Sequence, residues 1–269
     1  MPAKQQNATI KNPNSLNMTV VARYERVIRA KLDRVWENVL DWEHLPHLHA
    51  TSFDHVTLDE AGDWGWRTFS DPAGTSHIEL TVADEASYVS RTYAGGQQNA
   101  EIWTYLAPQG DYTAIRVEFH MPNVDPARAD RLGEHMLRLY TRLWDEDEAM
   151  MIARQQRLDA APSHAREQCL GPAEDLSLPL VFELGGREYR LTGSATGFRA
   201  LPTTCPHLLG PLSVVAGNPE ELHCPWHGYR FDLRSRACLA PATASCRLPP
   251  LPEVSIDDRG QVFVRLAPG

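Results

Sequence analysis

Two short blocks carry donor atoms of the kind that hold metal: Cys205-Pro-His207 and Cys224-Pro-Trp-His227. Each pairs one thiolate with one imidazole at a spacing that fits a single tight loop. Two Cys and two His could close around one zinc ion, or around a two-iron, two-sulfur cluster with imidazole in place of thiolate on one iron. Zinc sites of this composition usually place Cys with Cys and then His with His. Here the two types alternate, which suits a cluster whose loops each send one Cys and one His to different irons. Neutral imidazoles bring less negative charge than thiolates, so the potential of such a cluster rises to roughly −150 to +300 mV. The chemistry implied is transfer of single electrons.

The text between the blocks supports two loops joined by a hairpin. Leu212-Ser-Val-Val-Ala-Gly-Asn-Pro219 reads as a strand running into a Gly217-Asn218-Pro219 turn. Gly228 directly follows His227, which would let backbone pass close to a cluster sulfur. The stretches Cys205-Pro-His-Leu-Leu-Gly-Pro-Leu212 and His223-Cys-Pro-Trp-His-Gly-Tyr-Arg-Phe-Asp232 resemble Rieske [2Fe-2S] domains. Pro241-Ala242 resembles the proline loop that shields the cluster in that family. The resemblance implies Cys205, His207, Cys224 and His227 as cluster ligands.

A second constellation lies near the N-terminus, in Asn38-Val-Leu-Asp41-Trp-Glu-His44-Leu-Pro-His47-Leu-His49. Histidines five apart do not share a face of an ideal helix at about 100° per residue. His44 and His49 converge only if the helix ends or bulges between them, and Pro46 can break it. His47 is a rival ligand. A metal site built on two His can take a carboxylate as third ligand. The long helix later in the chain offers Asp145, Glu146, Asp147 and Glu148. Its apolar stripe runs through Leu132, Met136, Tyr140, Leu143, Trp144, Met150 and Met151, with Asp147 at its centre. A carboxylate aimed into a core is costly unless paired or metal-bound. Asp147 is therefore the strongest candidate, while Asp145 reads as an exposed acidic face.

The Asn38/Asp41/His44/His49 spacing resembles the mononuclear-iron motif of Rieske non-haem iron oxygenases, and Glu146-Asp147 followed by Gln155 resembles that family's segment with the iron-ligating Asp. The resemblance implies His44, His49 and Asp147 as iron ligands. Asp41 would bridge a cluster His to the iron-site His44, and Asn38 would stand beside the iron. It also implies an O₂-dependent mono- or dioxygenase acting on a small apolar or aromatic substrate. NAD(P)H would serve indirectly, through a separate reductase and, in some systems, a ferredoxin. No Gly-rich dinucleotide motif is found in this chain. Electrons in that family pass between subunits, so a homo-oligomer, with a trimer favoured, is expected; a route within one chain remains open.

The elements needed to position these residues are legible in outline. Residues 1–17 read as a flexible, Asn-rich tail. A strand over Thr19–Ile28 precedes an amphipathic helix through Leu32, Val35, Trp36, Val39 and Leu40. Alternating strands fill residues 53–120, and Ile102, Trp103, Leu106, Val117, Phe119 and Met121 fit cavity lining and core packing equally well. Asp125-Pro opens a helix reaching about Leu158. This α+β order resembles the START/Bet v 1-like helix-grip fold, an antiparallel sheet around a long C-terminal helix. The expected organisation is a tail (1–17), a helix-grip catalytic domain (18–159), a linker (160–175) and an all-β Rieske domain (176–269).

Composition narrows the class further. With 269 residues, 42% hydrophobic content and a net charge of −9, the chain suits soluble cores and not a nucleic-acid partner. No apolar run spans a membrane and no signal peptide is evident, so a cytoplasmic protein is expected. Cys238 and Cys246 lie close in sequence; free thiols are expected over a disulfide in a reducing compartment. Three features depart from the oxygenase pattern: the domain order is reversed, the chain is short, and Leu208 stands where oxygenases usually place Arg. Two rivals therefore stand beside the oxygenase. One is a non-catalytic hydrophobic-ligand-binding or electron-transfer protein with a Rieske cluster and no mononuclear iron. The other is a cyclase-like enzyme bearing a cluster.

Overall fold

The computed structural model describes residues 17–161, 163–194 and 197–267; the expected tail at 1–16 lies outside the described residues. By internal contacts the chain divides into two compact units. One takes the described residues up to Trp36 with His55–Trp144. The other takes Glu37–Asp54 with Asp145 to the described end. The helix carrying Asp147 is thus shared along its length, and the histidine block groups with the cluster loops.

The first unit is built on a seven-stranded antiparallel sheet. Its strands are β1 (Met18–Ile28), β2 (Thr57–Gly62), β3 (Gly65–Phe69), β4 (Ser76–Asp84), β5 (Ser87–Ala94), β6 (Gln97–Gln109) and β7 (Tyr112–Pro122), in the spatial order β1-β7-β6-β5-β4-β3-β2. Between β1 and β2 come the helices α1 (Leu32–Leu40) and α2 (Leu45–Leu48), and after β7 comes the long helix α3 (Pro126–Asp159). Alternation sorts the side chains. Ile102 faces Phe119 and Leu106 faces Ile115 across the β6–β7 pair, all buried. Phe119 meets Tyr140 of α3 edge-on, with ring centroids 4.6 Å apart. The expected sheet-and-helix grip is present.

Trp103 is a correction to the cavity-lining set. The two-residue period of β6 turns it to the opposite face from Ile102, where it stacks on Tyr105 and donates from Nε1 to Glu101 at 2.8 Å.

The second unit holds three small sheets: β8 (Glu167–Pro172) with β16 (Glu253–Ile256) and β17 (Gln261–Arg265); β9 (Leu180–Leu184) with β10 (Arg187–Ser194) and β11 (Gly197–Pro202); and β12 (Ser213–Val215), β13 (Asn218–His223), β14 (Arg230–Asp232) and β15 (Cys238–Ala240). Residues 167–172, read as linker from their polar composition, form β8 and pair with β17. Cross-strand partners far along the chain supply that order, which local composition cannot show. All five cysteines are free thiols. No helix among the described residues is long and apolar enough to cross a membrane.

Candidate metal centres

The two Cys/His blocks fold into loops of the same form. In the first, Cys205 N–H bonds the Gly210 carbonyl and Leu209 N–H returns to the Cys205 carbonyl. In the second, Cys224 N–H bonds the Tyr229 carbonyl and Gly228 N–H returns to the Cys224 carbonyl. Each loop tip therefore presents its Cys and His toward the other loop. A hairpin of β12 and β13 joins them, with Val215 opposite Asn218, as the sequence implies.

The loops press together over a core of Leu201, Leu212, Leu222, Trp226, Phe231 and Met150. A Cβ at Gly210 would stand 2.6 Å from Cys224 Sγ, so only glycine lets the first loop approach that sulfur. Cys205 and Cys224 are 1% and 0% exposed. Their shared hydrogen bond and burial push the Cys205 thiol up. The same bond from Cys205, aided by His227, draws Cys224 down against burial. Both sulfurs are buried and within hydrogen-bonding reach of each other, and a shared metal centre would hold both as thiolates.

The imidazoles complete the set. His207 and His227 meet edge-on at 4.7 Å between centroids. His227 Nε2 donates to Asp41 Oδ2 at 2.6 Å, which leaves Nδ1 for a metal. His207 Nδ1 is buried with no hydrogen-bond partner. An orphaned buried nitrogen beside two buried sulfurs is costly unless a ligand takes it. These residues fit a [2Fe-2S] cluster.

The second constellation converges for a reason the sequence only half shows. Helix α1 ends at Leu40, and α2 is a single turn with Pro46 near its start. Pro46 therefore opens a helix instead of breaking one, as its fixed φ favours. His44 caps the turn at one end and His49 at the other, with Leu48 N–H bonded to the His44 carbonyl at 2.8 Å. Flanking one turn brings imidazoles five residues apart to 5.1 Å between ring centroids.

Asp147 of α3 faces both rings. Its Oδ1 lies 3.0 Å from His49 Nε2 and 3.5 Å from His44 Nε2. One ligand atom from each of the three residues lies within 4.8 Å of the other two, and all three residues are buried. The far ring nitrogens also meet carboxylates: His49 Nδ1 donates to Glu146 Oε2 at 2.6 Å, and His44 Nδ1 stands 3.6 Å from Asp41 Oδ2. Metal-binding imidazoles are typically oriented in this way. Buried Asn38 leaves its Oδ1 without a hydrogen-bond partner. The donor set, two imidazoles and one carboxylate, fits a facial-triad iron. His47, the rival ligand, instead lies over Gly228, and Asp145 is exposed.

Asp41 joins the two constellations. Its Oδ1 accepts from Glu43 N–H at 3.1 Å, fixing the turn after α1, while Oδ2 faces His227 and His44. Burial raises its carboxyl, but the hydrogen bond from His227 and the nearby His44 imidazole outweigh burial and hold it well below the usual carboxylate range. Burial lowers the His227 imidazole, and the bond to Asp41 more than reverses this, lifting it to about 9.

Several supporting residues escaped sequence reasoning. Tyr229 stacks on His207 at 4.3 Å and its hydroxyl donates to Glu43 at 3.2 Å. Arg154 forms a two-pronged bond to Glu37 at 2.7 and 2.6 Å, holding the end of α1 to α3. Arg157 donates to the carbonyl of Leu209, whose φ of 62° is left-handed, and lies over the Trp226 ring, so it touches both cluster loops. Only Arg154 carried a signal, lying seven residues after Asp147 and so on its face of α3.

Residues 166–254 match the Rieske [2Fe-2S] domain, about a third of the chain. No curated protein matches the chain by sequence. Among solved structures, a START superfamily protein from Mycobacterium smegmatis is 15% identical, with 48% of this chain and 97% of that one covered and a TM-score of 0.35. The quaternary ammonium Rieske monooxygenase CntA is 16% identical, with 53% and 41% covered and a TM-score of 0.42. NdmB of Pseudomonas putida CBB5 is 19% identical, with 50% and 41% covered and a TM-score of 0.38. The chain thus spans well under half the length of the last two. The chain carries a Rieske [2Fe-2S] domain at residues 166–254, and Cys205, His207, Cys224 and His227 all fall inside it.

Proposed function

We propose that the protein is an O₂-dependent oxidoreductase of the Rieske non-haem iron type, hydroxylating or dealkylating a small apolar or aromatic substrate. In this reading Cys205, His207, Cys224 and His227 hold the cluster, and His44, His49 and Asp147 hold a mononuclear iron(II). Bound there, the cluster exchanges single electrons and the iron activates O₂. The observation that carries the reading is Asp41, whose Oδ2 lies 2.6 Å from His227 Nε2 and 3.6 Å from His44 Nδ1.

Each residue then has a physical task. Asp41 orients one imidazole of each centre and provides a short polar path between them. Glu146 fixes the tautomer and angle of His49. Tyr229 and Glu43 hold the plane of His207. Leu45, Met150 and Met151, all buried, help exclude water around the ligands. Because Asp41, His227 and His44 belong to one chain, this link does not depend on a ring of three subunits. A separate reductase drawing on NAD(P)H, with or without a ferredoxin, supplies the electrons. The reducing cytoplasm suits the thiolate ligands, and we place the protein there.

The test is Asp147→Ala in iron-loaded protein. The reading expects one iron lost per chain, an unchanged cluster absorption spectrum and no O₂-dependent turnover. Full iron retention would remove Asp147 from the site, whereas two irons per chain before the substitution would favour the binding or electron-transfer reading, in which the cluster stands without a catalytic iron.

A further inference from the structure

The histidine side of the cluster loops is covered by one segment. Asp41 holds His227, Glu43 holds the Tyr229 hydroxyl, and His47 lies over Gly228. The Cys205 side chain is itself buried, but open space adjoins the first loop that carries it. A cavity of about 580 Å³ there is lined by Cys205, Pro206 and Leu209 of the first loop, with Arg157, Arg187 and Arg247 around it. A second cavity, of about 670 Å³, shares Arg187 and Pro250 with the first and adds Arg166, Arg234 and Arg236.

The charge of this face runs against the chain as a whole. Six arginines line the two cavities against two carboxylates, Glu183 and Glu188, in a chain of net charge −9. Glu188 is engaged by the Thr203 hydroxyl, and Arg234 shares Glu220 with Arg199. Arg247 and Arg166 donate to backbone carbonyls, of Ser235 and Ala267, and neither pairs with a carboxylate among the described residues. A local basic patch on an acidic protein attracts acidic partners selectively and raises their association rate.

We propose that this arginine-lined face is where an acidic one-electron donor protein docks, delivering electrons through the Cys205 loop. The donor's reduced centre loses one electron and the cluster gains it; no bond forms, and the oxidised donor leaves. Entry on the cysteine side separates it from the histidine side that faces Asp41. The proposal rests on the Rieske domain and does not involve the His44/His49/Asp147 site.

Two probes test it on the full, cluster-loaded chain. The first is ferricyanide, which takes one electron from the reduced cluster and becomes ferrocyanide, followed by the cluster's visible absorbance. Its second-order rate is expected to fall as salt rises, and Arg187→Glu with Arg247→Glu is expected to slow it about tenfold or more at low salt. The second is hexacyanochromate(III), a redox-inert anion of the same shape, which should broaden the amide resonances of Gly186 and Arg187. A rate that rises with salt, as the net charge alone dictates, overturns the proposal. So does a rate unmoved by the double variant, or broadening confined to other surfaces. The absorbance spectrum reports separately that the cluster is assembled, and iron lost at Asp147 would leave these results unchanged.

Discussion

Asp41 Oδ2 accepts a 2.6 Å hydrogen bond from His227 Nε2 and lies 3.6 Å from His44 Nδ1, within one chain and across 186 residues of sequence. One carboxylate thus contacts an imidazole of each proposed metal centre. Asp41→Asn keeps the shape and removes the charge. In single-turnover experiments it should slow re-oxidation of the reduced cluster by O₂ and substrate about 10- to 100-fold, the usual range for such outer partners. The cluster spectrum and total iron should be retained. Re-oxidation at the wild-type rate would show that electrons take another path.

Glu146 stands behind His49 as Asp41 stands behind His44. Its carboxylate accepts from His49 Nδ1 at 2.6 Å, which fixes Nε2 as the metal-facing nitrogen. Glu146→Gln should weaken iron(II) binding at the mononuclear site about 10- to 100-fold, read by titration of metal-stripped protein. The cluster absorbance should not change.

Gly228 ties the two constellations sterically. Its φ is 67°, and an added Cβ would stand 2.3 Å from the His47 ring. Gly228→Ala meets both penalties, with the backbone part alone costing about 1–2 kcal/mol. A fall in Tm of about 4 °C or more is expected. Combining it with His47→Ala should recover the steric part of the loss and leave the backbone part. Equal Tm values for the single and double variants would show that His47 does not bear on Gly228.

The candidate cluster residues could be read from the chain because donors on one tight loop are close in sequence. Cys205 with His207, and Cys224 with His227, belong to such loops, and their alternation is a local signal. Asp147 was legible through a conflict, an acid in the middle of an apolar stripe. His44 and His49 required knowledge of where one helix stops and the next begins, and Pro46 proved to be a helix starter. Contacts between distant segments were not legible. Nothing local tells Asp41 that it meets His227, or Glu43 that it meets Tyr229. The pairing of β8 with β17 and the grouping of residues 37–54 with the cluster loops are long-range facts of the same kind.

The most direct test of the account is the iron content of fully loaded wild-type protein, measured with the cluster absorbance on the same sample. Two irons in the Rieske cluster and one between His44, His49 and Asp147 predict about three irons per chain, with Asp147→Ala falling to about two. A value of two in the wild type, with the cluster spectrum at full strength, would contradict the mononuclear iron and leave a protein that carries electrons without activating O₂.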